Sequence, residues 1–188
     1  EPVRVPAHAG LPLPAAAPTP MRPDDAGHNG IFAALGRATY RTDGTEASAW
    51  FANMASVGMS GAVAAKANAT TKALGAKASY LLALGVVFAR WQNVRLSVQV
   101  DAETREALME DAVVAVGRYL AGGMMITPDA EPDDGLFDVL LIGDVTKTEL
   151  VRVMPKIYRG KHLPHPKGKA LRGTTVSIDA EAPLPIQL

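Results

Sequence analysis

Alternating apolar and polar side chains make residues 94–100 the clearest strand in the chain, with valine or leucine at every second position. Such an alternation predicts a strand with one buried face. Apolar runs between polar or glycine-containing breaks predict further strands at residues 110–119, 122–127, 136–143, 171–179 and 183–188. The polar residues 101–106 predict a turn between the strand at residues 94–100 and the strand at residues 110–119.

Three segments carry helical patterns instead. Residues 62–74 are rich in alanine, and residues 79–91 are apolar on most sides, which predicts a well buried helix. Residues 146–158 are amphipathic, with a kink or a break expected at Pro155 because proline lacks the amide donor. Strands with a few helices inserted between them predict an α+β fold, mainly an antiparallel β-sandwich with two or three inserted helices.

The first third of the chain gives weaker signals. Residues 1–30 are rich in proline and alanine and predict an extended tail or linker. The pair Asp43-Gly44 predicts a hairpin turn. Residues 50–52 predict a buried strand, and Asn53 follows at its end, where an asparagine either caps a turn through its own side chain or contacts a ligand.

Composition narrows the possible functions. The chain has 19 basic and 19 acidic residues, so its charge gives no electrostatic case for a nucleic-acid partner. It contains no cysteine, which excludes disulfides and thiolate metal sites and fits a reducing, cytoplasmic compartment. The longest apolar run, residues 78–89, is shorter than the about 20 residues that cross a bilayer. The first residues lack the charged-then-apolar order of a signal peptide.

The densest chemistry lies in residues 122–138, GGMMITPDAEPDDGLFD. Four carboxylates fall within six residues here, those of Asp129, Glu131, Asp133 and Asp134. At that spacing they repel one another unless water or a hard cation lies between them. From the residues alone, the segment is either a solvated acidic turn or an oxygen-ligand site for a cation.

The order of several short motifs carries a resemblance to a known family. WFANMASVGMSG is followed by GAKASYLLAL, then by GGMMITPDAEPDDGLFDV and by YRGKH. In this order and spacing, residues 31–188 resemble the C-terminal domain of the diacylglycerol kinase catalytic family, which includes bacterial diacylglycerol kinases and sphingosine kinases. The resemblance implies the β-sandwich domain of a lipid kinase, with the ATP-binding N-terminal domain absent from this chain.

The resemblance also implies an activity and a set of site residues. A family member transfers phosphate from ATP to the hydroxyl of diacylglycerol or a related lipid, with Mg²⁺ ordering the site. Asp134 matches the metal-ligating aspartate, Leu136 would offer its carbonyl oxygen, and Glu131 lies where a second carboxylate contributes. The matching motifs imply substrate-binding positions at Asn53, Gly58, Gly122, Gly123 and Met124.

The family's catalytic acid–base residue lies in an Asp-Gly-Glu motif after a strand like APLPIQL, and that strand ends here at Leu188. The chain begins Glu1-Pro2-Val3, which is how the motif continues in the family. This match suggests residues 1–25 as the C-terminal continuation of the domain, with Glu1 as the candidate general base. The other interpretation is a tail that happens to begin with Glu-Pro.

Two other functions remain open. A noncatalytic lipid- or metal-binding β domain would keep the scaffold without the chemistry, and a nucleotide kinase resembling NAD kinases is the third interpretation. A lipid substrate leads us to expect peripheral contact with the inner membrane, to which the basic loop at residues 159–169 could contribute. The sequence is compatible with a homodimer.

Overall fold

The computed structural model describes residues 35–42, 45–69, 76–120 and 123–188 of the chain. These residues form eleven strands and three helices, and every strand pairing among them is antiparallel. In chain order the elements are β1 (Gly36–Thr42), β2 (Thr45–Phe51), β3 (Met54–Gly58), α1 (Met59–Ala69), α2 (Ala76–Arg90), β4 (Val94–Val100), β5 (Glu103–Ala115), β6 (Tyr119–Leu120), β7 (Met124–Met125), β8 (Phe137–Gly143), α3 (Lys147–Ile157), β9 (Gly168–Gly173), β10 (Val176–Ala180) and β11 (Ile186–Gln187). The α+β class predicted from the sequence is confirmed.

The long strand β5 organises the main sheet. Its first half pairs with β4, from Glu103 opposite Val100 to Met109 opposite Val94. Its second half pairs with β3 along the same edge and with β8 along the other edge. The sheet continues from β4 to β10, from β3 to β11 and from β8 to β9. Two hairpins, β1–β2 and β6–β7, lie outside this sheet.

A β-bulge interrupts β5 at its middle. The register with β8 shifts between Met109 and Asp111, so Glu110 has no partner residue in β8. A bulge bends the strand and increases its twist. The first half of β5 therefore runs in a different direction from the second half. This bend allows one strand to pair with β4 in its first half and with β3 and β8 in its second half.

Both faces of the second half of β5 are buried. Val114 packs in an apolar cluster with side chains of β4, β8 and β10, between the layers of the sandwich. Its neighbours Val113 and Ala115 point the other way and pack with Ile126 and with Ile157 of α3. Burying a valine contributes roughly 1.5–3 kcal/mol, so this strand anchors the domain on both sides.

The helix α3 begins at a capping box. The Thr146 hydroxyl accepts from the N–H of Glu149, and the Glu149 carboxylate accepts from the N–H of Thr146 at 2.7 Å. The helix continues past Pro155 to Ile157, so the break allowed for in the sequence is not found. Leu150 and Ile157 are buried on either side of the proline, and their packing holds the last turn although one amide donor is missing.

Several predicted boundaries are wrong. The turn predicted at residues 101–106 is only two residues long, because pairing with β4 extends β5 back to Glu103 despite its polar side chains. Of the segment predicted at residues 122–127, the structure describes residues 123–127, and within these only β7 is strand. Residues 171–179 contain two strands rather than one, and the break at Thr174 is held by hydrogen bonds from its N–H and hydroxyl to the Asp101 carboxylate.

Two burial predictions are also wrong. Trp50 is 47% exposed in β2, where its ring stacks on the Arg37 guanidinium at 5.8 Å, because this hairpin lies outside the main sheet. The second predicted helix is α2, but Leu82 is 53% exposed, since α2 packs mainly on α1. Other predictions, for Glu1, Gly122, Asp43-Gly44 and residues 1–30, fall outside the described residues.

Candidate metal and substrate site

The acidic turn, residues 127–136, leads from the β6–β7 hairpin into β8. The Thr127 hydroxyl donates to the carbonyl oxygen of Gly117 at 2.8 Å, and the Thr127 N–H donates to the carbonyl of Arg118 at 3.4 Å. The Arg118 Nε–H in turn donates to the carbonyl of Ala130 at 2.7 Å. These bonds fix the first half of the turn against the segment that follows β5.

Asn53 binds the same segment, which follows β5. Its carbonyl oxygen accepts from the N–H groups of Val116 and Gly117 at 2.8 and 3.2 Å, and its Nδ2 donates to the Tyr119 carbonyl at 2.8 Å. A Cβ on Gly117 would lie 2.5 Å from Asn53 Oδ1, so the two residues approach closely. The structure therefore brings Asn53 and the acidic turn to the same region, with Asn53 in a structural role.

The carboxylate of Asp134 already has two partners. Its Oδ1 accepts from the Leu136 N–H at 2.8 Å, and its Oδ2 accepts from the guanidinium of Arg172. The same guanidinium forms an ion pair with Asp138, with 3.2 Å between Nε and Oδ1. Arg172 thus links the acidic turn to the first residues of β8.

Asp138 is the buried member of this group, at 7% exposure. Burial raises the pKa of the Asp138 carboxyl, the nearby Arg172 charge opposes that shift, and the charges of Asp134, Asp129 and Glu131 reinforce it. Its Oδ2 has no hydrogen-bond partner within the described ranges. A cavity of about 20 Å³, lined by this residue and Asp129, lies beside it and has room for about one water.

The residues implied for a magnesium site were Glu131, Asp134 and Leu136. Glu131 and Asp134 are joined by a 3.3 Å bond from the Asp134 N–H to the Glu131 carbonyl. Two carboxylates with a main-chain carbonyl are the hard oxygen ligands that Mg²⁺ takes, with water completing its octahedron. No cluster of three His, Cys, Asp or Glu side chains that could hold a metal occurs in the described part of the chain. The residue types suit Mg²⁺, but the Asp134 carboxylate is engaged by Arg172, which an incoming ion would have to displace.

The implied substrate residues are spread along the sheet. Asn53 lies beside the acidic turn, whereas Gly58 lies at the other end of β3, opposite Asp111, roughly 15 Å away at about 3.3 Å per residue. Gly58 has φ 136°, and a Cβ there would lie 2.6 Å from the Glu110 carbonyl oxygen. These two constraints explain this glycine by packing and backbone conformation.

The other two described positions lie in the β6–β7 hairpin. Gly123 has φ 89°, and nothing lies within 4 Å of the position of a Cβ. Met124 pairs with Leu120 and packs half-buried against the second apolar cluster. This hairpin therefore offers an open glycine beside apolar surface.

Sequence reasoning missed several residues of functional interest. Arg172 joins the site only through the pairing of β8 with β9, in which it lies opposite Asp138. His162 was expected to face solvent with the basic loop at residues 159–169, but it is buried. Its Nε2 lies 2.9 Å from the Ile126 carbonyl, and burial lowers the pKa of its imidazole despite that contact. Glu110 and Asp111 are buried carboxyls inside β5; the sequence signal was an acidic pair interrupting an apolar strand.

Residues 53–188 match the family model described as the YegS C-terminal NAD kinase beta sandwich-like domain. The chain belongs to this family. The resemblance inferred from the motifs is thereby confirmed.

Curated relatives of this YegS-type domain carry the name diacylglycerol kinase. The chain is 26% identical to the Mycobacterium tuberculosis (strain CDC 1551 / Oshkosh) enzyme, over 69% of this chain and 42% of the relative. It is 23% identical to the Staphylococcus carnosus (strain TM300) enzyme, over 75% of this chain and 46% of the relative. The chain thus spans less than half the length of these relatives.

A solved structure shares the fold. The putative diacylglycerol kinase from Bacillus anthracis str. Sterne matches with a TM-score of 0.53 at 18% identity, over 77% of this chain and 46% of that chain. None of the helices described here is long and apolar enough to cross a membrane.

Proposed function

We propose that this chain is the substrate- and metal-binding domain of an ATP-dependent lipid kinase that phosphorylates the hydroxyl of diacylglycerol or a related lipid. The observation that carries the proposal is the family match over residues 53–188 together with relatives named diacylglycerol kinase. A nucleotide-binding domain not contained in these 188 residues would supply ATP to the reaction.

The acidic turn is the proposed magnesium site. Glu131 and Asp134 would contribute carboxylate oxygens and Leu136 its carbonyl oxygen. When bound, Mg²⁺ would neutralise the crowded carboxylates and order the turn. Phosphoryl transfer depends mainly on positioning and charge neutralisation. An ordered turn next to Asn53 would therefore help to position the lipid hydroxyl that accepts the phosphate.

The proposed lipid contacts lie on the glycine-containing hairpin. Gly122 and Gly123 would let the backbone approach the lipid, and Met124 would contact its apolar part. We include Asn53 and Gly58 among the proposed substrate-binding residues because their motif matches that of the family. Contacts within the protein are already sufficient to explain why an asparagine and a glycine stand at these positions. Glu1 remains the candidate general base for the acceptor hydroxyl.

A membrane surface is the proposed source of the lipid. In and after α3, exposed Arg152, Lys156, Arg159 and Lys161 lie near exposed Val151 and Tyr158. Anionic lipids attract such cations by about 1 kcal/mol for each Lys or Arg near the surface. We therefore propose peripheral contact with the inner membrane, which cosedimentation with phosphatidylglycerol vesicles at low and high salt would detect.

The test is ADP release from Mg·ATP with micelle-dispersed diacylglycerol, with the nucleotide domain of a relative added. Parent chain, Asp134→Ala and Asp133→Ala are compared, because Asp133 is an exposed neighbour in the same turn. Lipid-dependent ADP release by the parent and by Asp133→Ala, reduced at least tenfold in Asp134→Ala, supports the proposal.

The absence of lipid-dependent ADP release from all three, with the chain folded by circular dichroism, contradicts a kinase function. It would favour the noncatalytic lipid- or metal-binding domain. Equal activity in Asp134→Ala and the parent would leave the kinase assignment standing and remove the magnesium role from Asp134.

A further inference from the structure

Arg172 lies on an outer strand of the main sheet, next to the acidic turn. Among the described strands, β9 pairs only with β8, and Arg172 is directly opposite Asp138 in that pairing. Side chains that lie directly opposite in an antiparallel pair are on the same face of the sheet, with Cβ atoms about 5 Å apart. The register therefore places the guanidinium beside the Asp138 carboxylate, just after the acidic turn ends.

The guanidinium of Arg172 bridges two carboxylates. Its Nη2–H donates to Asp134 Oδ2, and its Nε lies 3.2 Å from Asp138 Oδ1. The side chains of Arg172 and Asp134 are 45% and 19% exposed, so their contact is open to solvent. Asp138, by contrast, is buried. A dissolved ion can therefore approach the Asp134 end of the bridge.

The other oxygen of Asp134 contacts the main chain of the turn. Asp134 Oδ1 accepts from the Leu136 N–H at 2.8 Å, and the Asp134 N–H donates to the Glu131 carbonyl at 3.3 Å. One carboxylate is thus bonded to the guanidinium through one oxygen and to the backbone through the other. Through this carboxylate, Arg172 connects the second half of the acidic turn to β9.

The crowding of carboxylates makes a positive charge at this position stabilising. Five acidic side chains are close in sequence here, those of Asp129, Glu131, Asp133, Asp134 and Asp138. Like charges at such spacing repel one another, and an arginine side chain stays protonated at every ordinary pH. A second arginine of the region, Arg118, donates to the main-chain carbonyl of Ala130 in the first half of the turn.

A metal ion at Asp134 and the Arg172 guanidinium would use the same carboxylate. Mg²⁺ takes oxygen ligands at about 2.0–2.1 Å in a strict octahedron. Both oxygens of Asp134 are engaged, Oδ1 by the backbone and Oδ2 by Arg172. Two cations that contact one carboxylate oxygen repel each other, so the ion and the guanidinium are alternatives.

We propose that Arg172 is a built-in cation of the acidic turn: its guanidinium holds the Asp134 carboxylate in place, and Mg²⁺ binds there by replacing it. The inference rests on the magnesium site proposed above and adds how occupation of that site is controlled. Mg²⁺ would then order the turn in place of the guanidinium. The site would form by the exchange of one cation for another on a turn that is already ordered.

Hydrogen exchange at the amides of Asp134 and Leu136, followed by NMR on the whole chain, tests the proposal. Both amides donate within the second half of the turn and report on its local opening. The Ala130 amide, which donates to the Thr127 carbonyl at 3.1 Å, is the internal control for the first half. Exchange is measured in excess EDTA and in millimolar Mg²⁺, with NaCl at the same ionic strength to account for screening.

Two variants of Arg172 separate its charge from its shape. Arg172→Gln removes the charge and keeps an amide donor, whereas Arg172→Lys keeps the charge without the planar fork. In EDTA the Asp134 and Leu136 amides should exchange about two- to fivefold faster in Arg172→Gln than in the parent, the range that a partly exposed ion pair supports. Mg²⁺ should restore the parental rates in Arg172→Gln, and Arg172→Lys should exchange nearly as the parent does.

Arg95 provides a matched control in a different part of the sheet, on β4. Its side chain is 48% exposed and lies 3.8 and 3.4 Å from carboxylate oxygens of Glu106 and Glu181. Arg95→Gln removes the same charge from a comparable pair of carboxylates. It should leave exchange at Asp134 and Leu136 unchanged, with and without Mg²⁺.

Three results would overturn the proposal. Parental exchange rates in Arg172→Gln without Mg²⁺ would mean that Arg172 does not hold the turn. Faster exchange that Mg²⁺ slows no more than NaCl does would mean that the ion does not replace the guanidinium, as expected of a merely structural arginine. A parent chain whose two amides are protected only in Mg²⁺ would mean that Arg172 is not sufficient. None of these measurements uses ATP or lipid, so lipid-dependent ADP release stays an independent test of the kinase function.

Discussion

Arg172 lies directly opposite Asp138 in the pairing of β9 with β8, with 3.2 Å between its Nε and the carboxylate Oδ1. Its guanidinium also contacts Asp134, the residue proposed as a magnesium ligand. The protein cation and a metal ion would therefore compete for one carboxylate. Arg172→Ala should raise the affinity of the chain for Mg²⁺ by about two- to fivefold, since partly exposed ion pairs contribute at most about 1 kcal/mol.

Isothermal titration of Mg²⁺ at low ionic strength measures this change. Arg172→Lys serves as the control, because it retains the charge without the planar fork and should bind Mg²⁺ nearly as the parent does. Adding Asp134→Asn to Arg172→Ala should abolish the gain. Unchanged Mg²⁺ affinity in Arg172→Ala would mean that the ion does not bind at Asp134.

Asn53 and Gly117 should show coupled effects on stability. Asn53→Ala removes the bond to the Tyr119 carbonyl and should lower the free energy of unfolding by about 0.5–1.5 kcal/mol. Gly117→Ala should cost about 0.5–1.5 kcal/mol, because its methyl group would lie 2.5 Å from Asn53 Oδ1 and would displace that exposed side chain from its bond to the Tyr119 carbonyl. In the Asn53→Ala background that clash is gone, so Gly117→Ala should cost less than it does in the parent.

Urea unfolding of the two single variants and the double variant gives the coupling free energy directly. Additive costs would mean that Gly117 is constrained by something other than the asparagine side chain. If Asn53 binds lipid as well, the activity of Asn53→Ala should fall further than its loss of stability explains.

The sequence predicted those elements whose signal is local. β4 was predicted with both ends correct, because seven residues alternate between apolar and polar and each apolar side chain enters one core. The acidic turn was recognised as a candidate metal site because four carboxylates so close in sequence repel one another unless water or a cation lies between them. Both inferences used residues within a few positions of one another.

What the sequence did not predict depends on pairing between distant residues. Arg172 is 38 positions from Asp134, and no local sequence pattern around either residue predicts their contact. β5 was predicted to start at Glu110 but starts at Glu103, because the pairing with β4 overrides the polarity of its first residues. The bulge at Glu110 is likewise a property of register and not of residue type.

Gly58 should be essential to stability, and Gly85 should not. At Gly58 an added Cβ would meet the backbone of β5 at a φ of 136°, so Gly58→Ala should destabilise the domain by more than about 2 kcal/mol. At Gly85, within α2, nothing lies within 4 Å of a Cβ, so Gly85→Ala should stabilise by about 0.5–1 kcal/mol through helix propensity. Thermal unfolding of both variants measures the contrast.

A Gly58→Ala variant with parental thermal stability would contradict the packing explanation. If that variant also bound lipid poorly, the result would support the role that the motif implies for Gly58. In that role the substrate approaches the backbone at this position. The Gly85→Ala variant controls for any general effect of adding a methyl group to this part of the chain.

The buried carboxyl of Glu110 should make stability fall as pH rises. Its pKa is raised from 4.5 to about 8 by burial and by Asp111, so the folded chain binds a proton that the unfolded chain has released. The stabilisation is complete below pH 4.5 and is lost as pH rises to about 8, at a slope of up to about 1.4 kcal/mol per pH unit for one carboxyl. Urea unfolding between pH 5 and about 8 measures the slope.

Glu110→Gln is the matched control, because it keeps the shape of the side chain and cannot ionise. The difference in slope between the parent and this variant isolates Glu110 from Asp111, whose pKa is raised to about 7, and from His162, whose lowered pKa makes the chain less stable as pH falls through the ordinary histidine range. Parallel curves for parent and variant would mean that Glu110 is already ionised in the folded chain over this pH range.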